Sequence, residues 1–142
     1  MSPILKNILA VVAGGVAGIV LNSLLVNVGP MVIPPPEGAD ITSMEGLKET
    51  MHLFKPQNFI FPFLAHALGT LAGAFTAAKL AASHQMKIAI GIGVFFLIGG
   101  IYMVTLIPGP MWFNVLDIVA AYIPMGYLGG KWAMGSNNQP MG

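Results

Sequence analysis

His66 and Asp117 each interrupt a stretch of chain that otherwise reads as hydrocarbon. An imidazole and a carboxylate can relay or share a proton, hold a cation, or clasp two helices through one hydrogen bond. Inside an apolar segment either group costs a few kcal/mol or more, so it comes with a partner, a cavity or a task. Counting about 1.5 Å of helix per residue from the outer end of each segment puts Asn22, His66, Tyr102 and Asp117 roughly 8–10 Å deep. Asn114 and Thr105 fall nearer the surface. On helical spacing, Thr70 and Gly73 share a side with His66, and Asn114 and Ala121 share a side with Asp117. The expected pocket is therefore lined by His66, Asp117, Asn22, Tyr102, Asn114 and Thr70. Pro124 has no backbone donor, which leaves the Ala120 carbonyl without its helical partner one turn below Asp117.

The elements that must carry these residues are four apolar segments. Residues 8–28 contain no charge, 59–78 only His66, 88–107 no charge and a single tyrosine, Tyr102, and 111–130 only Asp117 as a charge. Each is long enough, as a helix, to cross a hydrocarbon core about 30 Å thick. A backbone in lipid must satisfy its own hydrogen bonds, so these segments are helices. The first is too long for the apolar part of a cleaved signal and no small-residue cleavage site closes it, so it is read as a membrane span. The fold class expected is an all-α four-transmembrane-helix bundle, a single transmembrane domain over residues 1–142.

Charge supplies an orientation. Lys6, Lys79, Lys87 and Lys131 flank one face, while Lys48 and Lys55 on the other are offset by Glu37, Asp40, Glu45 and Glu49. The positive-inside rule then puts both termini in the cytoplasm and the 29–58 loop outside. Trp112 and Trp132 mark the two interfaces of the last span. Small residues four apart let helices approach in lipid. They recur at Ala10, Gly14 and Gly18, at Ala65, Gly69, Gly73 and Ala77, at Ala89 and Gly93, and at Gly126 and Gly130. Packing within the chain is the simpler use of these ridges, and a homo-oligomer contact the sharper one.

The outer loop has its own pattern. Pro34–Pro36 favours a stiff polyproline strut. Thr42 followed by Glu45 predicts a capped start to a helix over about 43–54. Met44, Leu47, Met51 and Phe54 form its apolar stripe, which either lies on the membrane surface or caps the bundle mouth. Glu49 and His52 have the spacing of half a di-iron ligand set, but no second copy exists, so a solvated polar face is the reading taken.

Composition removes several classes. The 142 residues are 56% hydrophobic and 8% charged, far below the roughly 25% of a soluble domain. There is no cysteine and the net charge is +1, which gives neither thiolate chemistry nor a basic surface for nucleic acid. No nucleotide loop, zinc-protease motif or nucleophile elbow occurs. A bis-His haem lacks a second ligand at the depth of His66. No catalytic residue, metal site or cofactor is assigned.

The stretches His66-Ala-Leu-Gly-Thr-Leu-Ala-Gly-Ala-Phe, Pro34-Pro-Pro-Glu-Gly-Ala-Asp and Met51-His-Leu-Phe resemble a group of uncharacterised four-span bacterial inner-membrane proteins. The resemblance runs over most of the chain and implies topology and a bacterial inner membrane. It carries no activity and no functional residue. Three function classes follow from the residues. The first is a non-enzymatic structural or interaction protein with an outward polar pocket, whose partners are the bilayer and further copies of itself or a larger membrane complex. The second is a small oligomeric proton- or cation-coupled transporter or channel. The third is an outer-leaflet enzyme acting on a lipid or quinone, with His66 as base and Asp117 orienting it.

Overall fold

Ser2 starts the first helix: its hydroxyl accepts the Leu5 amide at 3.2 Å, and Pro3 occupies the first turn, where no donor is needed. This is how the chain begins in a computed structural model that describes residues 1–137. Helix α1 then runs over Pro3–Val32, thirty residues, longer than the charge-free stretch alone implied and continuing through Pro30. At about 1.5 Å per residue it is roughly 45 Å long, so its ends reach beyond the hydrocarbon core.

The remaining elements are α2 (Met44–Thr50), α3 (Ile60–Leu80), α4 (Gln85–Leu106), α5 (Met111–Ala120) and α6 (Ile123–Asn137). Single 3-10 turns at Met51–Leu53 and Pro56–Phe59 link α2 to α3. No strand occurs among the described residues. Four helical stretches are long and apolar enough to cross a membrane: Pro3–Val32, Pro56–Leu80, Gln85–Leu106 and Met111–Gly135. Large apolar side chains such as Val12, Val16, Ile98 and Ile101 stay exposed along them, as suits a lipid-facing surface. The molecule is a multi-pass membrane protein built as a four-helix bundle.

The fourth span is not one helix. It stops at Ala120 and restarts at Ile123, with Ala121 and Tyr122 buried in the break. Pro124 therefore sits in the first turn of α6 rather than inside a continuous helix. Pro124 still offers the Ala120 carbonyl no amide, and that carbonyl now stands at the end of α5, at the break.

Small residues hold the bundle together. A Cβ placed on Gly14 would stand 2.5 Å from the Gly73 carbonyl oxygen, and one on Gly18 2.8 Å from that of Gly69. α1 and α3 thus touch backbone to backbone. Gly93 and Gly126 bring α4 against α6 in the same way, and the would-be Cβ of Gly93 lies 3.0 Å from the Tyr122 carbonyl at the break. The ridges are used within the chain. The core is correspondingly alanine-rich, with Ala74, Ala77, Ala78, Ala89 and Ala133 around Ile92.

One end of the bundle is tied by Asn7, whose side-chain oxygen accepts the Ala82 and Ser83 amides at 2.8 and 3.3 Å and whose Nδ2 donates to Ser83 Oγ. His84, in the left-handed region at φ 55°, then turns the chain into α4. Lys6, Lys87 and Lys131 are exposed around this end. The other end is roofed by residues 33–59. Ser43, not Thr42, caps α2, its hydroxyl accepting the Gly46 amide at 2.9 Å. Thr42 instead donates its hydroxyl and its amide to the Asp40 carboxylate at 2.6 and 2.9 Å. These two bonds hold the Asp40 carboxyl below its ordinary pKa, the hydroxyl contributing most. Asn58 pins the roof by donating to the Pro34 carbonyl at 3.2 Å.

Candidate functional site

His66 lies one and a half turns into α3, and Asp117 near the end of α5. The His66 Nδ1 stands 2.8 and 2.9 Å from the two carboxylate oxygens of Asp117. A carboxylate only accepts, so Nδ1 carries the proton and donates it to both oxygens. Tyr122 completes the cluster: its hydroxyl donates to Asp117 Oδ2 at 3.1 Å, and its ring stacks on the imidazole at a centroid distance of 5.8 Å. Asp117 is 4% exposed and Tyr122 3%, while the His66 side chain keeps 30% of its surface.

The break in the fourth span makes this arrangement. In a continuous α-helix residues 117 and 122, five apart, differ by about 140° and face different ways. Interrupting the helix between Ala120 and Ile123 swings Tyr122 back toward the carboxylate. Gly100 leaves room for the phenol, since a Cβ there would stand 2.5 Å from the Tyr122 hydroxyl.

The cluster forms the base of a cavity of about 760 Å³. α1, α3, α4 and α5 form its walls, and the 33–59 segment its roof. Leu47, Met51 and Phe54, three of the four residues in the apolar stripe, face into it, whereas Met44 is exposed. Toward the lysine-flanked end the cavity is shut by Phe96, which packs so closely on Gly18 that a Cβ there would meet its ring at 2.7 Å. Beyond that contact α3, α4 and α6 pack through the alanine cluster.

Of the sequence-predicted lining, His66, Asp117, Asn22, Thr70 and Asn114 border this cavity. Two of them have their polar groups engaged elsewhere. Thr70 donates its hydroxyl to the His66 carbonyl at 2.7 Å, and Asn114 donates to the Gly109 carbonyl at 3.3 Å. Tyr102 does not belong: it is 62% exposed and absent from the lining. Tyr122 takes the place expected of it. The available signal was Pro124, because a proline in the first turn of a helix marks a restart as well as a kink. Glu45, Glu49 and His52 are exposed on the roof.

At the base of the cavity the His66 and Asn22 side chains keep polar atoms free. Neither His66 Nε2 nor the Asn22 amide makes a hydrogen bond to any described residue. Every fully enclosed side-chain nitrogen or oxygen among those residues has a partner, so these free atoms reach open space. No protein-family model matches the chain, and no curated protein or solved structure shows significant similarity to it.

Proposed function

We propose that the chain is a bacterial inner-membrane protein with both termini cytoplasmic, acting without catalysis through a polar pocket that opens on the outer side. The observation that carries this reading is the His66–Asp117–Tyr122 cluster at the base of a roofed cavity. The lysines gathered at the opposite end support the orientation. Further copies of the chain, or a larger membrane complex, are its proposed protein partners.

The transporter alternative asks for a polar route through both halves of the bundle. The Phe96–Gly18 contact and the alanine core speak against such a route in this conformation. Purified wild type, His66→Ala and Asp117→Asn are compared for size in detergent, Tm, and proton or cation flux in liposomes. The expected result is a lowered Tm in both variants and no wild-type flux above protein-free liposomes. Wild-type flux that disappears in Asp117→Asn at unchanged Tm would establish transport instead. A dimer-sized particle would identify the partner as a second copy.

A further inference from the structure

The chemistry of the cavity narrows what it can hold. Its ionisable lining consists of His66, Asp117 and Tyr122 alone, with no lysine, arginine or glutamate. The Asp117 carboxylate is buried and engaged by His66 and Tyr122, so it is closed to an incoming cation. An anionic head would find one cationic candidate, His66, whose charge Asp117 already answers. Burying a charge without a counter-charge is costly, so phosphate and ammonium heads are both disfavoured.

An uncharged head fits well. With Nδ1–H held by the carboxylate, a neutral His66 presents Nε2 as an acceptor. The Asn22 amide offers both a donor and an acceptor. It packs against Gly69, three residues along α3 from His66, where a glycine Cβ would meet the Asn22 Cβ at 3.1 Å. One hydroxyl can donate to Nε2 and accept from Asn22. A carbonyl can accept from the same amide.

The walls above these groups are mostly hydrocarbon, including Val26, Phe61, Met103 and Ile107, with Asn27, Gln57 and Asn58 adding polar groups toward the roof. Part of this lining is exposed on α1 and α4. α1 and α4 meet at Gly18 and Phe96, and toward the roof the cavity lies between them. Val26 of α1 and Met103 of α4 line the cavity yet are 45% and 41% exposed. Gly99 lines it too, and a Cβ there would meet nothing within 4 Å. In a bilayer, surface exposed between two spanning helices borders acyl chains. The volume is within the range of about 300–1,000 Å³ typical of small-molecule sites.

We infer that the cavity binds an uncharged amphiphile, a hydroxyl- or carbonyl-bearing head on a hydrocarbon tail. It slides in from the bilayer between α1 and α4 and seats its head on His66 Nε2 and Asn22. This rests on the reading of the cavity as a ligand pocket. Long-chain alcohols and quinones share the chemistry.

The test uses the purified full chain in lipid nanodiscs and four probes: a decyl-substituted benzoquinone, 1-dodecanol, dodecyl phosphate and dodecylammonium. Labelled probes are measured by scintillation proximity. One or both neutral probes should bind saturably, and the charged ones at least roughly ten-fold more weakly. Which neutral probe binds tells a quinone from an alcohol. Gly99→Phe should block entry between α1 and α4 and abolish saturable binding, with Tm kept near wild type because its Cβ position is open. His66→Leu should weaken binding roughly two- to ten-fold through one lost hydrogen bond. Charged probes binding as well as neutral ones overturn the inference, and so does binding indifferent to Gly99→Phe. Absence of saturable binding by any probe also overturns it. Asn22→Cys then separates the two levels, since the chain has no other cysteine. Alkylation from the roof side by a water-soluble thiol reagent would leave the pocket reading standing, and protection from it would remove that as well.

Discussion

Removing the His66 and Asp117 side chains singly and together measures what their contact contributes. His66→Ala, Asp117→Ala and the double variant form a thermodynamic cycle in which the coupling energy isolates the pair. The two Nδ1–oxygen distances describe one shared N–H, so the contact counts as a single charge-assisted bond. Such bonds contribute about 1.5–3 kcal/mol in soluble proteins, whereas cycles inside membranes average about 0.6 and reach about 1.7 kcal/mol. The buried carboxylate argues for the upper part of the membrane range, and the 30% exposure of the imidazole pulls the value down. A coupling of about 1 kcal/mol is expected. The companion cycle with Tyr122→Phe should give less, about 0.5 kcal/mol, because the hydroxyl bond is longer at 3.1 Å. The assay is reversible unfolding in mixed micelles, with SDS as the denaturant. A His66–Asp117 coupling indistinguishable from zero, with both single variants folded, would refute the clasp.

Two further predictions probe the bundle and its roof. Gly14→Leu should lower stability by at least about 2 kcal/mol in the same assay, since its side chain meets the Gly73 carbonyl and Ala77. Gly15→Ala, one residue on, has nothing within 4 Å of its Cβ and should be neutral or gain up to about 1 kcal/mol. Asp40 makes the roof acid-sensitive. Its carboxyl is held below the ordinary value by the Thr42 hydroxyl and amide, so its contribution is complete above about pH 4 and fades as pH falls through the lowered value. Cleavage of residues 37–43 by an acid-tolerant protease should therefore rise only below that range, and Asp40→Asn, which has no carboxyl to titrate, should abolish the acid step and cleave at a raised rate on both sides of it.

The spans were legible because length and apolarity settle them with little help from tertiary context. The meeting of His66 and Asp117 was legible because two costly groups at one depth in neighbouring helices have each other as the nearest remedy. Tyr122 was missed for a definite reason. Depth counting assumes a continuous helix, and the break at Ala121–Tyr122 changes which residues share a face. Tyr102, at the expected depth, turns outward because α4 presents Gly99, Gly100 and Met103 to the cavity instead. The shift from Thr42 to Ser43 has a similar local cause. Asp40 captures the Thr42 hydroxyl, and the next hydroxyl along the chain caps α2. The Asn7 tie could not be read at all, since it joins residues 75 and 76 positions apart.

The same kind of separation gives the clasp a place in biogenesis. His66 and Asp117 are 51 residues apart. As the chain leaves the ribosome, α1 and α3 can zip through their glycines while α5 is still unmade. During that interval the imidazole sits in the hairpin without its counterpart. Arrival of α5 ends that exposure, so the closing step of insertion is drawn by a hydrogen bond as well as by hydrophobic transfer. The clasp therefore marks a chain whose second half has joined the first.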